Sequence, residues 1–104
     1  MDFNSYQRIA KSTAIYPSKY RLFYPALGLS GEVGELNNKI KKRIRDSTAL
    51  DKEDIKAELG DILWYLSAVA TDMDIKLDDV AACNIKKLRS RKARGTLKGS
   101  GDRR

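Results

Sequence analysis

The chain has 104 residues, with 21 Lys/Arg, 14 Asp/Glu, no histidine and a formal net charge of +7. The missing histidine excludes His-based acid–base catalysis and His-ligated zinc, so any metal site must use oxygen ligands, which suit Mg²⁺, Mn²⁺ or Ca²⁺. A single cysteine, Cys83, excludes an internal disulfide, and no apolar run approaches the ~20 residues of a membrane span.

The first helix is expected from about Asp2 to Ile15. It should stop before Tyr16-Pro17, because the residue before a proline disfavours helical backbone. Pro25 suits the first turn of a second helix, where its missing amide hydrogen is not needed. From Leu29, the apolar residues Leu29, Val33, Leu36, Ile40 and Ile44 recur at steps of three and four, an amphipathic helix. The segment Arg45 to Leu50 breaks that pattern. Asp51 then reads as an N-cap with Asp54 near the third helical position, a variant of the capping box. Ile55, Leu59, Ile62, Leu66, Val69 and Met73 follow at alternating steps of four and three, the strongest periodic signal in the chain. Leu77 opens a fourth helix, with Ala81, Ile85 and Leu88 along one line. β-Branched residues nowhere alternate with polar ones over a useful length. The expected fold is all-α, a four-helix bundle over residues 1–94. Residues 95–104 read as a flexible, basic tail containing Gly95, Gly99 and Gly101. A domain this small buries a modest share of its surface, so an oligomer is expected.

Charge is unevenly placed. From Asn84 onward nine Lys/Arg face one acid, Asp102, whereas the preceding residues hold twelve against thirteen. An anionic partner follows, either nucleic acid or the phosphates of a small molecule. The N-terminus lacks a basic segment followed by an apolar one, so no signal peptide is read and a cytoplasmic setting is expected.

Two acidic pairs carry the chemistry. Glu32 and Glu35 sit at i, i+3 on one flank of the second helix, and Glu58 and Asp61 do so on the third. If the helices pack through their apolar stripes, these flanks can converge. Each pair of carboxylates at ~4 Å repels by ~1 kcal/mol in water and by several times more at a protein surface. Such a site calls for cations, and Mg²⁺ is the natural occupant, since it takes few protein oxygens together with substrate phosphates. An acidic pair on a helix is ordinarily solvated surface, but two such pairs in apolar surroundings, each beside glycine, are not. Mid-helix glycine costs about 1 kcal/mol against alanine. Gly31, Gly34 and Gly60 therefore point to close backbone packing or the approach of a ligand.

The segment Leu29-Ser30-Gly31-Glu32-Val33-Gly34-Glu35-Leu36, with Glu58-Leu59-Gly60-Asp61-Ile62-Leu63-Trp64-Tyr65 after it, resembles the MazG-like nucleotide pyrophosphohydrolases of the all-α NTP pyrophosphatase superfamily. The likeness extends through Asn84-Ile85-Lys86-Lys87-Leu88-Arg89 and the tail Arg94 to Asp102. It is closest to the short single-domain members of bacteria and phages. The resemblance implies a bundle acting as a homodimer or homotetramer, with the site partly completed by a neighbouring chain. It implies hydrolysis of a (deoxy)nucleoside triphosphate to the monophosphate and pyrophosphate. Glu32, Glu35, Glu58 and Asp61 would be the Mg²⁺ ligands, with Mn²⁺ able to substitute, unless one glutamate instead orients the attacking water. A role in nucleotide-pool control or house-cleaning is expected, in the host cytoplasm if the chain is phage-encoded. A purine nucleotide such as dGTP, or a broad range, is the expected substrate.

On the substrate side, Asn84, Lys87 and Arg91 share a flank of the fourth helix. Lys87 and Arg91 are expected to neutralise phosphate charge and Asn84 to contact sugar or phosphate. Lys42 and Lys39 are weaker candidates, read more readily as surface lysines pairing with Glu35 or Asp46. Tyr65 is expected to stack on sugar or base, as Tyr6 or Tyr16 could. Trp64, opposite the apolar stripe, reads as a subunit contact. The alternative is a basic helical protein that binds nucleic acid through its tail. It leaves unexplained four carboxylates that would repel a phosphate backbone, so neither nucleic acid nor membrane is expected as a partner.

Overall fold

Asp2 caps the first helix, α1 (Phe3–Lys11), by accepting a hydrogen bond from the Ser5 amide at 2.7 Å. The helix ends four residues earlier than its pattern predicts. The Ser12 and Thr13 hydroxyls turn back onto the Ile9 and Ala10 carbonyls and take up the last turn. A short 3₁₀ turn over Ser18–Tyr20 leads into α2 (Phe23–Asp46), with Pro25 buried in its first turn. Asp51 caps α3 (Lys52–Asp72) through the Glu53 amide at 2.9 Å, as expected of an N-cap. Asp54 does not close a capping box; it turns toward α2. The fourth helix, α4, spans Leu77–Ala93. The computed structural model describes residues 1–104 and is all-helical, with four α-helices and no strand. No helix is long and apolar enough to cross a membrane.

Helices α2 and α3 make the main packing contact, α1 lies against α3, and α4 leans on α1 and only lightly on α3. Polar clasps hold the pieces. Gln7 donates to the Thr71 hydroxyl at 3.1 Å and the Ile75 carbonyl at 2.9 Å, and accepts from the Leu77 amide at 2.8 Å. It thereby ties α1 to the α3–α4 junction. Asp72, whose side chain is 7% exposed, accepts from the Tyr16 hydroxyl at 2.7 Å and the Leu22 amide at 2.8 Å. Burial, then the bond to Asp72, pushes the Tyr16 phenol up to about 12, so it stays a donor. Leu22 pays for this clasp in backbone strain: its φ of 66° and ψ of −53° form a tight γ-turn.

The apolar stripes behave differently from expectation. Only eight of 104 residues are buried. Val33, Ile44, Leu59 and Met73, all expected in the core, are 41%, 76%, 52% and 51% exposed. The buried face of α3 is instead Glu58, Ser67, Ala68 and Ala70. The chain exposes 8092 Å², against about 5,900 Å² for a compact monomer of this mass. Its radius of gyration is 16.6 Å, against about 13 Å for a compact chain of this length. The helical periodicity was real, but a single chain does not supply the surface that covers it.

The tail also departs from its expected freedom. The Arg91 guanidinium, 6% exposed, donates to the Asp102 carbonyl at 2.8 Å and lies 3.8 Å from the Asp102 carboxylate. Lys87 meets the same carboxylate at 3.4 Å. The Arg104 side chain donates to the Thr96, Leu97 and Gly101 carbonyls, and Arg94 donates to the Arg104 carbonyl. Arginines thus satisfy carbonyls that an unstructured tail would leave to water, and residues 95–104 fold into a knob on the end of α4.

Tyr16→Phe should test the Asp72 clasp. Losing a hydrogen bond to a carboxylate costs about 1.5 kcal/mol. The melting temperature should fall by roughly 5–10 °C with the helical circular dichroism signal unchanged at 20 °C or so; an unaltered melting temperature would mean that the clasp contributes nothing.

Candidate metal centre

The acidic flanks do converge, but with three members rather than four. One carboxylate oxygen each from Glu32, Glu58 and Asp61 lies within 4.8 Å of the others. Glu32 comes from α2, Glu58 and Asp61 from α3, and the α2–α3 contact sets their separation. Glu58 is 8% exposed, Glu32 is half-buried and Asp61 is exposed. Glu35 is exposed one turn further along α2 and stands outside this trio, although its charge reaches Glu32.

Burial pushes the Glu32 carboxyl above its usual range. The neighbouring Glu58 carboxylate and the charges of Asp61 and Glu35 push the same way. The cluster is short of positive charge.

Lys39 supplies part of it. Its ammonium lies 2.9 Å from Glu58 Oε1 and 3.2 Å from Asp54 Oδ1, and these bonds raise its own pKa. The expected pairing with Glu35 or Asp46 is therefore corrected. A step of seven from Glu32 puts Lys39 on the acidic flank of α2, so it reaches across to α3 rather than along its own helix. The other oxygen of the same carboxylate, Glu58 Oε2, is buried with no hydrogen-bond partner. A buried acceptor left bare costs about 1–3 kcal/mol, more when charged. Three carboxylates with one bare buried oxygen and an all-oxygen donor set fit a hard divalent cation such as Mg²⁺.

Aromatic residues border the cluster. The Tyr65 ring lies so close to Gly28 that any side chain at that position would collide with it. Burial raises the Tyr65 phenol, with Tyr24, Glu32 and Asp61 adding to the shift. Tyr6, on α1, feels the charge of Asp61 in the same sense after its own burial. Gly28 was not singled out in the sequence; it lies a turn before Glu32, and its role depends on a ring 37 positions away. Gly31, Gly34 and Gly60 face open space, so close packing within the chain is not what they serve. Trp64 is also engaged within its own chain. Its indole donates to the Thr13 hydroxyl at 2.8 Å and packs edge-on against Tyr65 with ring centroids 5.0 Å apart. It therefore faces the turn after α1.

The remaining candidates lie elsewhere on the chain. Asn84 and Lys87 line a separate hollow with Ile75, Asp79, Val80 and Cys83. Arg91 is sealed beneath the tail and committed to it. Lys42 is exposed on α2, where its charge helps lower the Asp46 pKa behind Arg45 and Arg43.

A family model described as the MazG nucleotide pyrophosphohydrolase domain matches residues 25–95, which includes all four motif carboxylates. The Gene 37 protein of Mycobacterium phage L5 is 44% identical over 114 aligned residues that span the whole of both chains. No solved structure matches the chain.

The raised Glu32 pKa has a sign that can be checked. The metal-free folded protein holds the Glu32 proton more tightly than the unfolded chain does. That contribution is complete below the ordinary glutamate value of 4.5 and is lost as pH rises through the raised value. At pH 7 the ionised carboxylate is therefore a liability without metal. Glu32→Gln should raise the melting temperature in EDTA at pH 7, have little effect at pH 4, and remove any stabilisation that added Mg²⁺ or Mn²⁺ confers. A variant less stable in EDTA at pH 7 would contradict this account.

Proposed function

Because the chain belongs to the MazG nucleotide pyrophosphohydrolase family, we propose that it hydrolyses a (deoxy)nucleoside triphosphate between its α- and β-phosphates, releasing the monophosphate and pyrophosphate. The observation that carries this reading is the Glu32–Glu58–Asp61 convergence with one buried Glu58 oxygen left bare.

Glu32, Glu58 and Asp61 would hold Mg²⁺, with Mn²⁺ as a substitute. Such an ion supplies the positive charge that polarises the α-phosphate and stabilises the pyrophosphate leaving group. Lys39 fixes one oxygen of Glu58 and leaves the other without a partner. Glu35, outside the trio and close enough for its charge to reach Glu32, suits the orienting of the attacking water. Tyr65, berthed against Gly28 beside the acids, would pack on the sugar.

Asn84 and Lys87, which line a hollow that includes none of the three acids, would serve the triphosphate of a neighbouring subunit. Arg91 would act there only indirectly, by holding the tail in place. The exposed stripe of Val33, Ile44, Leu59 and Met73 supports a homodimer or homotetramer. The excess surface of about 2,200 Å² over a compact monomer is the scale that obligate interfaces bury. A role in adjusting nucleotide pools, with dGTP or GTP among the substrates, goes with that reading, in a host cytoplasm if the chain is phage-encoded like the relative it matches.

A screen of the eight common (d)NTPs with Mg²⁺ should yield pyrophosphate and not orthophosphate. Glu58→Gln should lower turnover by more than about 100-fold, since even the outer partners of metal ligands are worth 10–100-fold. Near-normal turnover in that variant would displace the site. Light scattering on a sizing column should return a multiple of 11.7 kDa; a monomer at micromolar concentration would remove the shared-site reading.

A further inference from the structure

A second concavity adjoins the carboxylates without including any of them. It lies between α1, the loop after it and α3, and holds about 320 Å³, within the size range of small-molecule sites. Tyr16 and Trp64 are among its walls, Arg21 and Lys11 also line it, and Ser67 and Asp72 belong to its α3 side.

Ser67 is the informative residue. It is 1% exposed and its hydroxyl has no hydrogen-bond partner. A serine inside a helix can return its hydroxyl to the carbonyl one turn back, and this one does not. A bare, buried hydroxyl in a cleft whose walls include two aromatic rings suits a planar ligand whose edge carries a donor or an acceptor. The anionic part of a ligand is poorly served at depth, because the buried charge there is the Asp72 carboxylate. The cleft thus suits a neutral heteroaromatic ring.

Its position agrees. Ala68, which lines the cleft, follows Asp61 by seven residues on α3. That is two turns along the same face, about 10 Å, a span for a sugar to bridge. Tyr65 links the two places, since it touches the Trp64 ring edge-on and senses Glu32 and Asp61. Next to the lining residue Arg21, Leu22 is held in its γ-turn by Asp72, which also lines the cleft, and such strain concentrates at ligand sites.

We propose that this cleft receives the nucleobase of the triphosphate, with Tyr16 and Trp64 against the ring and the Ser67 hydroxyl reading its edge. The inference rests on the proposed hydrolysis and deepens it by naming where the base is recognised. Ser67 is then the residue that sets base preference.

Trp64 is the sole tryptophan, so its emission reports on the cleft without any turnover. Deoxynucleoside monophosphates of the four bases, titrated into the full-length protein in EDTA, should change that emission to saturation, most tightly for one base. Ser67→Ala removes a bare hydroxyl and should fold at least as well as the wild type, which a thermal melt checks. It should weaken the preferred monophosphate at least tenfold and compress the ranking of KM values among the (d)NTPs by a similar factor. Emission that ignores all four monophosphates, or a ranking unchanged within twofold in Ser67→Ala, overturns the inference even if pyrophosphate is released. Emission that follows protein concentration and not nucleotide also overturns it, because a neighbouring chain then fills the cleft. A nucleotide-dependent, Ser67-dependent emission change in a protein that releases no pyrophosphate keeps the cleft and removes the hydrolysis.

Discussion

Mutual repulsion among Glu32, Glu58 and Asp61 is the constraint around which the other features arrange themselves. Three carboxylate oxygens within 4.8 Å cannot all be ionised cheaply, and one of the three residues is buried. Lys39 relieves half of the Glu58 carboxylate and leaves the other half bare. The packing of α2 on α3 is then a compromise. Small residues and Glu58 occupy the buried face of α3, while larger apolar side chains are turned outward. A helix pair optimised for stability alone would bury Leu59 and expose Glu58.

That inversion explains what could and could not be read from the residues. The helices were legible because 3.6-residue periodicity is local, and the Asp51 cap because its side chain can accept from the first-turn amides; the end of α1 at Lys11, short of the bend before Pro17, is set instead by Ser12 and Thr13 turning onto its last carbonyls. The acidic motif was legible because i, i+3 spacing fixes a shared face. The burial of the stripes was not, because periodicity says which face is apolar and is silent on what covers it. The Lys39 partnership was missed for a related reason: a charge pair between two helices depends on their relative height, which no spacing within one helix encodes. Gly28 escaped notice because its constraint is a ring brought in from α3, whereas the glycines beside the acids drew attention and face open space.

The basic C-terminal segment shows how composition can mislead about order. Its arginines are not all directed at a partner. Arg91, Arg94 and Arg104 spend donors on the tail's own carbonyls, and Asp102 offsets Lys87. Part of the +8 that suggested a free anion-binding tail is internal scaffolding. The charges left facing outward, including Lys86, Arg89 and Lys92, are carried on the rigid α4 helix, and that narrows the geometry in which they can meet phosphates.

The attachment of α1 has a thermodynamic consequence of its own. Ala10 is the sole buried residue of that helix, and its anchors are the three hydrogen bonds of Gln7 and the Thr13–Trp64 bond. Detaching α1 would expose little apolar area. Its heat-capacity change and its denaturant dependence would both be small, since each scales with the surface uncovered. Such an opening would leave almost no mark on a urea transition, yet it would bare the amides of the first nine helical residues to hydrogen exchange. Exchange measured without denaturant is where the mobility of this helix, and of the cleft wall it forms, becomes visible.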